Sequence, residues 1–122
     1  MILVDTSVWV GHLRVKDPVL SRLLETGLVL MHPFILGELA CGNLKNRDVL
    51  LRSFATLPGP KVATHEETIH AVDRYRIWGS GIGWVDAHVL ASAMLTRCTL
   101  WTLDSALNSA CQTVGVTTYS AR

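Results

Sequence analysis

Four carboxylates in this chain are candidates for one shared site. Asp5 closes the apolar run "MILV", Asp104 follows "TLWTL", and Glu38 and Asp86 sit inside apolar helical patterns. The helical neighbours of Glu38 are Phe34, Ile35, Cys41 and Gly42, and those of Asp86 are Ile82, Gly83, Val89 and Leu90. Neither has a cation within one turn. Burying a lone carboxylate costs several kcal/mol, so each requires a partner from elsewhere in the fold. A distant arginine would serve for one such acid. Two of them, beside two acids at strand ends, are better explained by a shared metal ion.

Asp5 and Asp104 each precede a helical segment, and either could be a simple N-cap. Taken together with Glu38 and Asp86, they point to a site. Two carboxylates ~5 Å apart repel by roughly 3 kcal/mol at an effective dielectric of 20. Four held together must take up protons or recruit a divalent cation. Oxygen donors suit Mg²⁺ or Mn²⁺, whereas the five histidines show neither HExxH nor a paired Cys/His spacing that would suit zinc. The other acids read as solvated-face residues. Asp48 has Arg52 at i+4, Glu25 has Arg22 at i−3, Asp73 has Arg76 at i+3, and Glu67 completes a capping box with Thr64.

The elements that must hold these acids alternate. "MILV" reads as a buried strand and "TSVWVGHLR" as a helix; a second helix runs from Pro18 to Gly27. "LVLM" is strand-like and leads into the helical "PFILGELACGNL", followed by "NRDVLLRSFATL" and the Pro-Gly-Pro turn at 58–60. "HEETIHAVDRYRIW" and "WVDAHVLASAML" are helices on either side of the loop "GSGIG". "TLWTL" is a strand, "SALNSACQTV" a helix and "VTTY" a closing strand. Such alternation predicts an α/β fold with a parallel sheet covered on both faces. Ligands in such sheets gather beyond the carboxyl ends of the strands, where Asp5 and Asp104 stand.

Composition agrees with one domain over residues 1–122 that has a large core. Apolar residues make up 49% of the chain, which argues against disorder. The net charge of +1 hides an asymmetry: without the four acids, eleven basic residues face six acidic ones. An acidic pocket in a mildly basic protein suits a metal site that receives a polyanion. Cys41, Cys98 and Cys111 are odd in number, form no CxxC pair and are expected to be buried free thiols of a reducing compartment. No basic leader opens the chain and no apolar run reaches the ~20 residues of a membrane span, so a cytoplasmic protein is expected.

"LVDTSVW", "LGELACG", "GWVDAHVLASA" and "LWTLDSAL", in this order across nearly the whole chain, resemble the PIN domain, and within it the VapC-type ribonuclease toxins of toxin–antitoxin systems. The resemblance implies a three-layer α/β/α sandwich with a central parallel sheet, and a metal-dependent endoribonuclease using Mg²⁺ or Mn²⁺. It implies that Asp5, Glu38, Asp86 and Asp104 are the catalytic quartet. Asp5 and Asp86 would bind the metal directly. Glu38 and Asp104 would act directly or through water, with Asp104 counted among the ligands. The hydroxyls of Thr6, Ser7 and Thr102 would orient the carboxylates. Position 103, basic in many such proteins, is leucine here, which takes away one substrate contact.

Implied partners are an RNA substrate, a VapB-like cognate antitoxin and a second copy in a homodimer. Lys45, Arg47, Arg52 and the stretch "RYRIW" at 74–78 are candidate RNA contacts, or simply solvated helix faces. His88 either lies near the site or belongs to the core. The early helices "SVWVGHLR" and "PVLSRLLE" are the expected walls of an antitoxin groove. A housekeeping RNA-processing nuclease and a non-catalytic PIN-like interaction module are the alternative functions. A Rossmann dinucleotide binder is not, since no GxGxxG follows the first strand.

Overall fold

The computed structural model describes residues 1–120. At its centre is a parallel sheet in which β1 (Ile2–Val4) pairs with β2 (Val29–Leu30) on one side and β3 (Thr99–Trp101) on the other. Ile2 stands opposite Val29 and Thr99, Leu3 opposite Leu30 and Leu100, and Val4 opposite Trp101. Parallel strands need crossovers, and the seven helices supply them. They are α1 (Thr6–Arg14), α2 (Pro18–Glu25), α3 (Pro33–Cys41), α4 (Arg47–Ala55), α5 (His65–Tyr75), α6 (Trp84–Thr96) and α7 (Ser105–Val114). All three residues of β1 are buried, as a strand covered on both faces requires. The expected three-layer α/β/α sandwich is the fold observed.

Sequence signals set several element ends. Asp17 caps α2 by accepting from Val19 N and Leu20 N, with Pro18 as the first helical residue. Thr64 and Glu67 form the capping box of α5, at 3.0 and 2.9 Å. Gly79 and Gly81 take φ of +68° and +93°, the left-handed region that a side chain would resist, and so turn the chain into α6. The core is one cluster around Leu3, Val4, Trp9, Leu20, Ile35, Leu90 and Leu100, all essentially inaccessible. Trp9 packs its ring 5.0 Å from Phe54, and its indole N–H has no hydrogen-bond partner.

Three expectations are corrected here. The stretch 116–119 is not a strand: Thr118 alone forms a parallel bridge to Leu100. Its β-branched residues favour extension, but Thr117 and Thr118 are exposed, so little apolar burial accompanies further pairing. The three intrahelical pairs of Asp48, Glu25 and Asp73 do not close; among the described residues the ion pair is Arg47–Asp48 at 3.9 Å. Exposed pairs gain too little to hold two long side chains in one geometry. The cysteines are free, but Cys41 is exposed, Cys98 half-buried and only Cys111 buried, with burial pushing the Cys111 thiol up to about 11.

Candidate active site

Four elements deliver the four acids to the carboxyl edge of the sheet. Asp5 follows β1 directly, and its N–H donates to Trp101 O at 2.9 Å, extending the β1–β3 pairing by one residue. Asp104 lies three residues beyond β3, Glu38 is on α3 after β2, and Asp86 is in the first turn of α6. Their convergence is electrostatic as well as topological. The Asp86 carboxyl is raised above the ordinary 3.8, first by burial and then by the charges of Asp5, Asp104 and Glu38, against a lowering hydrogen bond from Gly83.

Asp5, Glu38 and Asp104 each have one oxygen engaged by a side-chain hydroxyl or a helical amide. Asp5 is buried, and its Oδ2 accepts from Ser7 Oγ at 2.9 Å and Thr102 Oγ1 at 2.7 Å. Glu38 Oε1 accepts from Thr6 Oγ1 at 2.6 Å. Asp104 Oδ1 accepts from Leu107 N at 3.0 Å, capping α7. The N-cap reading therefore holds for Asp104 and fails for Asp5, whose side chain makes no cap bond although it precedes α1. Ser7 and Thr102 also brace the β3–α7 loop by accepting from Leu103 N and Asp104 N at 3.0 and 3.1 Å.

Among the described residues no three Asp, Glu, His or Cys side chains form a finished metal cage. Hydrogen bonds link three of the four acids: Thr6, next to Asp5, donates to Glu38, and Thr102 joins the Asp5 carboxylate to the Asp104 backbone. Glu38 is exposed, not buried as its apolar neighbours suggested, because its helix turns that face toward a cleft.

A family model for the PIN domain matches residues 2–112 of this chain. The chain belongs to the PIN-domain family. Two relatives from Mycobacterium tuberculosis, of strains CDC 1551 / Oshkosh and H37Rv, are named Ribonuclease VapC32. Each is 47% identical over 117 residues, covering 95% of this chain and 94% of the relative. The fold is shared with solved structures of FitAB bound to an IR36 DNA fragment and of FitAcB from Neisseria gonorrhoeae, both at a TM-score of 0.67. These are 21% and 23% identical and cover 98% of this chain and 94% and 97% of theirs, a likeness that speaks for the fold alone.

In this PIN domain the cleft beside Glu38 has a volume of about 610 Å³ and is walled by α1, α3 and the loop into α4. Val10, Leu13, Leu39 and Leu50 give it an apolar floor, and Arg14 and Lys45 stand at its rim. Helix α2 sends Leu20 and Leu23 into the core and does not line this cleft; its first residue, Pro18, lines a separate cleft with Val8, Gly11 and His12 of α1. Arg14 was missed in the sequence, although Thr6, Val10, Leu13 and Arg14 follow the helical i, i+4, i+7, i+8 pattern of one face. Asn108 was missed too. Its Nδ2 donates to Thr102 O and Asp104 O, both at 3.1 Å, and its place four residues after Asp104 was the available signal.

Other candidates divide. Arg47 is committed to Ala40 O through Nε at 3.1 Å and Nη2 at 2.9 Å, so it finishes α3 instead of waiting for RNA. Arg52 is exposed on α4, outside the lining of the Glu38 cleft. The helix carrying "RYRIW" stops at Tyr75; Arg74 lies over the Tyr75 ring, Ile77 enters the core and Trp78 is left exposed. His88 is a buried structural residue, with Nδ1 3.1 Å from Thr68 Oγ1. Among the described residues no helix is long and apolar enough to cross a membrane.

Proposed function

We propose that this PIN-domain protein is a metal-dependent endoribonuclease and the toxin of a toxin–antitoxin pair. The observation that carries the reading is the hydrogen-bonded edge at the ends of β1 and β3, where Thr102 joins Asp5 to Asp104 and Thr6, next to Asp5, reaches Glu38. The relatives named Ribonuclease VapC32 support the substrate class.

The donor set fits Mg²⁺ or Mn²⁺. Asp86 and the oxygens Asp5 Oδ1, Asp104 Oδ2 and Glu38 Oε2 carry no hydrogen bond from another side chain, and all are hard carboxylate donors. Asp5, Asp86 and Asp104 would hold the ion, with Glu38 completing the quartet directly or through water. Bound there, the metal would supply neutralisation of the phosphodiester charge and a water acidic enough to act at neutral pH. The chain's own part is orientation. Ser7 and Thr102 fix the Asp5 carboxylate by one oxygen, Thr6 does so for Glu38, and Leu107 N does so for Asp104. The catalytic groups are thus aimed before substrate arrives, which lowers the ordering cost of the reaction. His88 faces Thr68 and is not placed to serve the ribose 2′-OH.

Arg14 and Lys45 offer positive charge for the RNA backbone at the rim of the Glu38 cleft. The apolar floor of the same cleft suits an amphipathic antitoxin segment, which would silence the enzyme by occupying it. The apolar content of the chain is expected to support a homodimer as well.

The test is direct. Purified protein with Mg²⁺ or Mn²⁺ should cut RNA, EDTA should stop it, and product ends should carry a 5′-phosphate and a 3′-hydroxyl. Ends bearing a 2′,3′-cyclic phosphate would overturn hydrolysis by water.

A further inference from the structure

Phe34 and Trp84 stand on the two helices that carry Glu38 and Asp86. They keep 38% and 42% of their surface exposed. Phe34 is four residues before Glu38 on the same face of α3, and Trp84 opens α6 two residues before Asp86. Between them lies His88, its ring 4.7 Å from Phe34 and 4.5 Å from Trp84, the latter edge-on at 87°. His88 is itself fixed. Thr68 spends its hydroxyl proton on Thr64 O at 2.9 Å, so it accepts from His88 Nδ1 at 3.1 Å. His65 packs against Trp84 at 5.1 Å. Two large rings are therefore pinned from behind while part of each stays in water.

We propose that Phe34 and Trp84 form a stacking ledge for unpaired bases of the RNA strand beside the phosphate being cut. The proposal rests on the ribonuclease reading and adds how that site chooses its substrate. Phe34 lies one helical turn from Glu38 on the same face of α3, and Trp84 joins Phe34 through His88, which is one turn further along its own face of α6. Arg14 and Lys45 provide positive charge in the cleft that Glu38 also lines, so backbone and bases would meet complementary chemistry along one path. Every base has a π-face, and stacking on a rigid ring asks only that the face be free. The ledge therefore favours single-stranded or looped RNA over duplex, whose bases are already stacked.

The experiment uses the full chain carrying Asp5→Asn and Asp86→Asn, which holds RNA without cutting it. Binding of a labelled single-stranded RNA octamer is compared with that of the same octamer lacking its bases. Trp84→Leu and Phe34→Leu, which keep apolar volume against His88, should each weaken RNA binding by about tenfold and leave the base-free oligomer unchanged. Trp84→Phe and Phe34→Tyr should bind as the parent does. In the otherwise wild-type protein the leucine variants should raise KM for RNA with kcat within about twofold. Leucine variants that bind RNA like the parent overturn the ledge while leaving cleavage, and so the ribonuclease reading, intact. Absence of RNA binding by the parent overturns it equally, as does a leucine variant that loses only self-association or an antitoxin segment. Ring-dependent RNA binding with no cleavage in Mg²⁺ would instead reject the ribonuclease reading and keep the ledge.

Discussion

Thr102 donates its hydroxyl to Asp5 Oδ2 at 2.7 Å across 97 residues of chain. The bond joins the ends of β1 and β3, and through Thr102 Oγ1 it reaches Asp104 N as well. One buried hydroxyl thus aligns two of the four acids.

Removing that hydroxyl should reveal the coupling. Thr102→Val is expected to lower kcat/KM by about 10–100-fold, the usual scale for a group that orients a metal-binding carboxylate. Asp104 N also loses its acceptor, which should cost about 1–2 kcal/mol of stability. Thr102→Ser should restore most of both, read by RNA cleavage and thermal melting. A valine variant with full activity would mean that Asp5 needs no such alignment.

Metal binding should appear as stability. Mg²⁺ or Mn²⁺ should raise the thermal midpoint, by an amount that grows with the logarithm of concentration above Kd. Asp86→Asn should abolish that shift. It should also raise the metal-free midpoint at neutral pH. Because the Asp86 carboxyl is raised in the fold, its stabilising effect is present in acid and lost as pH climbs through that raised value. The gain from Asp86→Asn should therefore vanish in acid. An unchanged metal response in the Asp5→Asn, Asp86→Asn double variant would remove the site.

His32 predicts an opposite pH effect. Its Nδ1 accepts from Phe34 N at 2.9 Å. Its Nε2 faces Ser92 Oγ at 3.0 Å, and because Ser92 donates to His88 O, the imidazole must donate through Nε2. The ring is fully buried and held neutral, its pKa pushed by burial, and secondarily by His88, from 6.5 to about 4. The unfolded chain takes the proton first. Stability is therefore whole above 6.5 and drains away as pH falls toward about 4, by on the order of 2–3 kcal/mol. His32→Asn should flatten denaturant-derived stability across that window, at a cost near neutrality because Ser92 loses its donor.

The basic residues should separate by salt dependence. Arg14→Ala and Lys45→Ala should each weaken single-stranded RNA binding and reduce the slope of log affinity against log salt by about 0.7. Arg47→Ala should leave that slope unchanged and instead cost about 1 kcal/mol, as the Ala40 carbonyl loses its two donors. Equal slopes for all three variants would place the RNA backbone elsewhere.

Val10 is 41% exposed in the floor of the Glu38 cleft. Val10→Asn should weaken antitoxin binding by about tenfold, while RNA cleavage without antitoxin stays within about threefold because no charge is added to the cleft. Calorimetry with the antitoxin's C-terminal segment, read beside cleavage, checks both. Undiminished binding would move the segment out of this cleft.

Much of this protein was legible in the order of its residues because the signals are local. An apolar run ending in Asp5, Pro18 behind Asp17, and Thr64 three residues before Glu67 each specify an element boundary within one turn of chain. Glu38 and Asp86 could be singled out because neither has a cation within helical reach, and Asp5 and Asp104 because each follows a strand. Tertiary packing decided the rest. It turned Glu38 outward, sent α2 into the core, committed Arg47 to Ala40, and left "VTTY" with a single bridge. It also brought Thr102 to Asp5 and His88 between Phe34 and Trp84. Period and composition carry information about neighbours a few residues away, whereas a hydrogen bond across 97 residues exists only once the sheet has set its register.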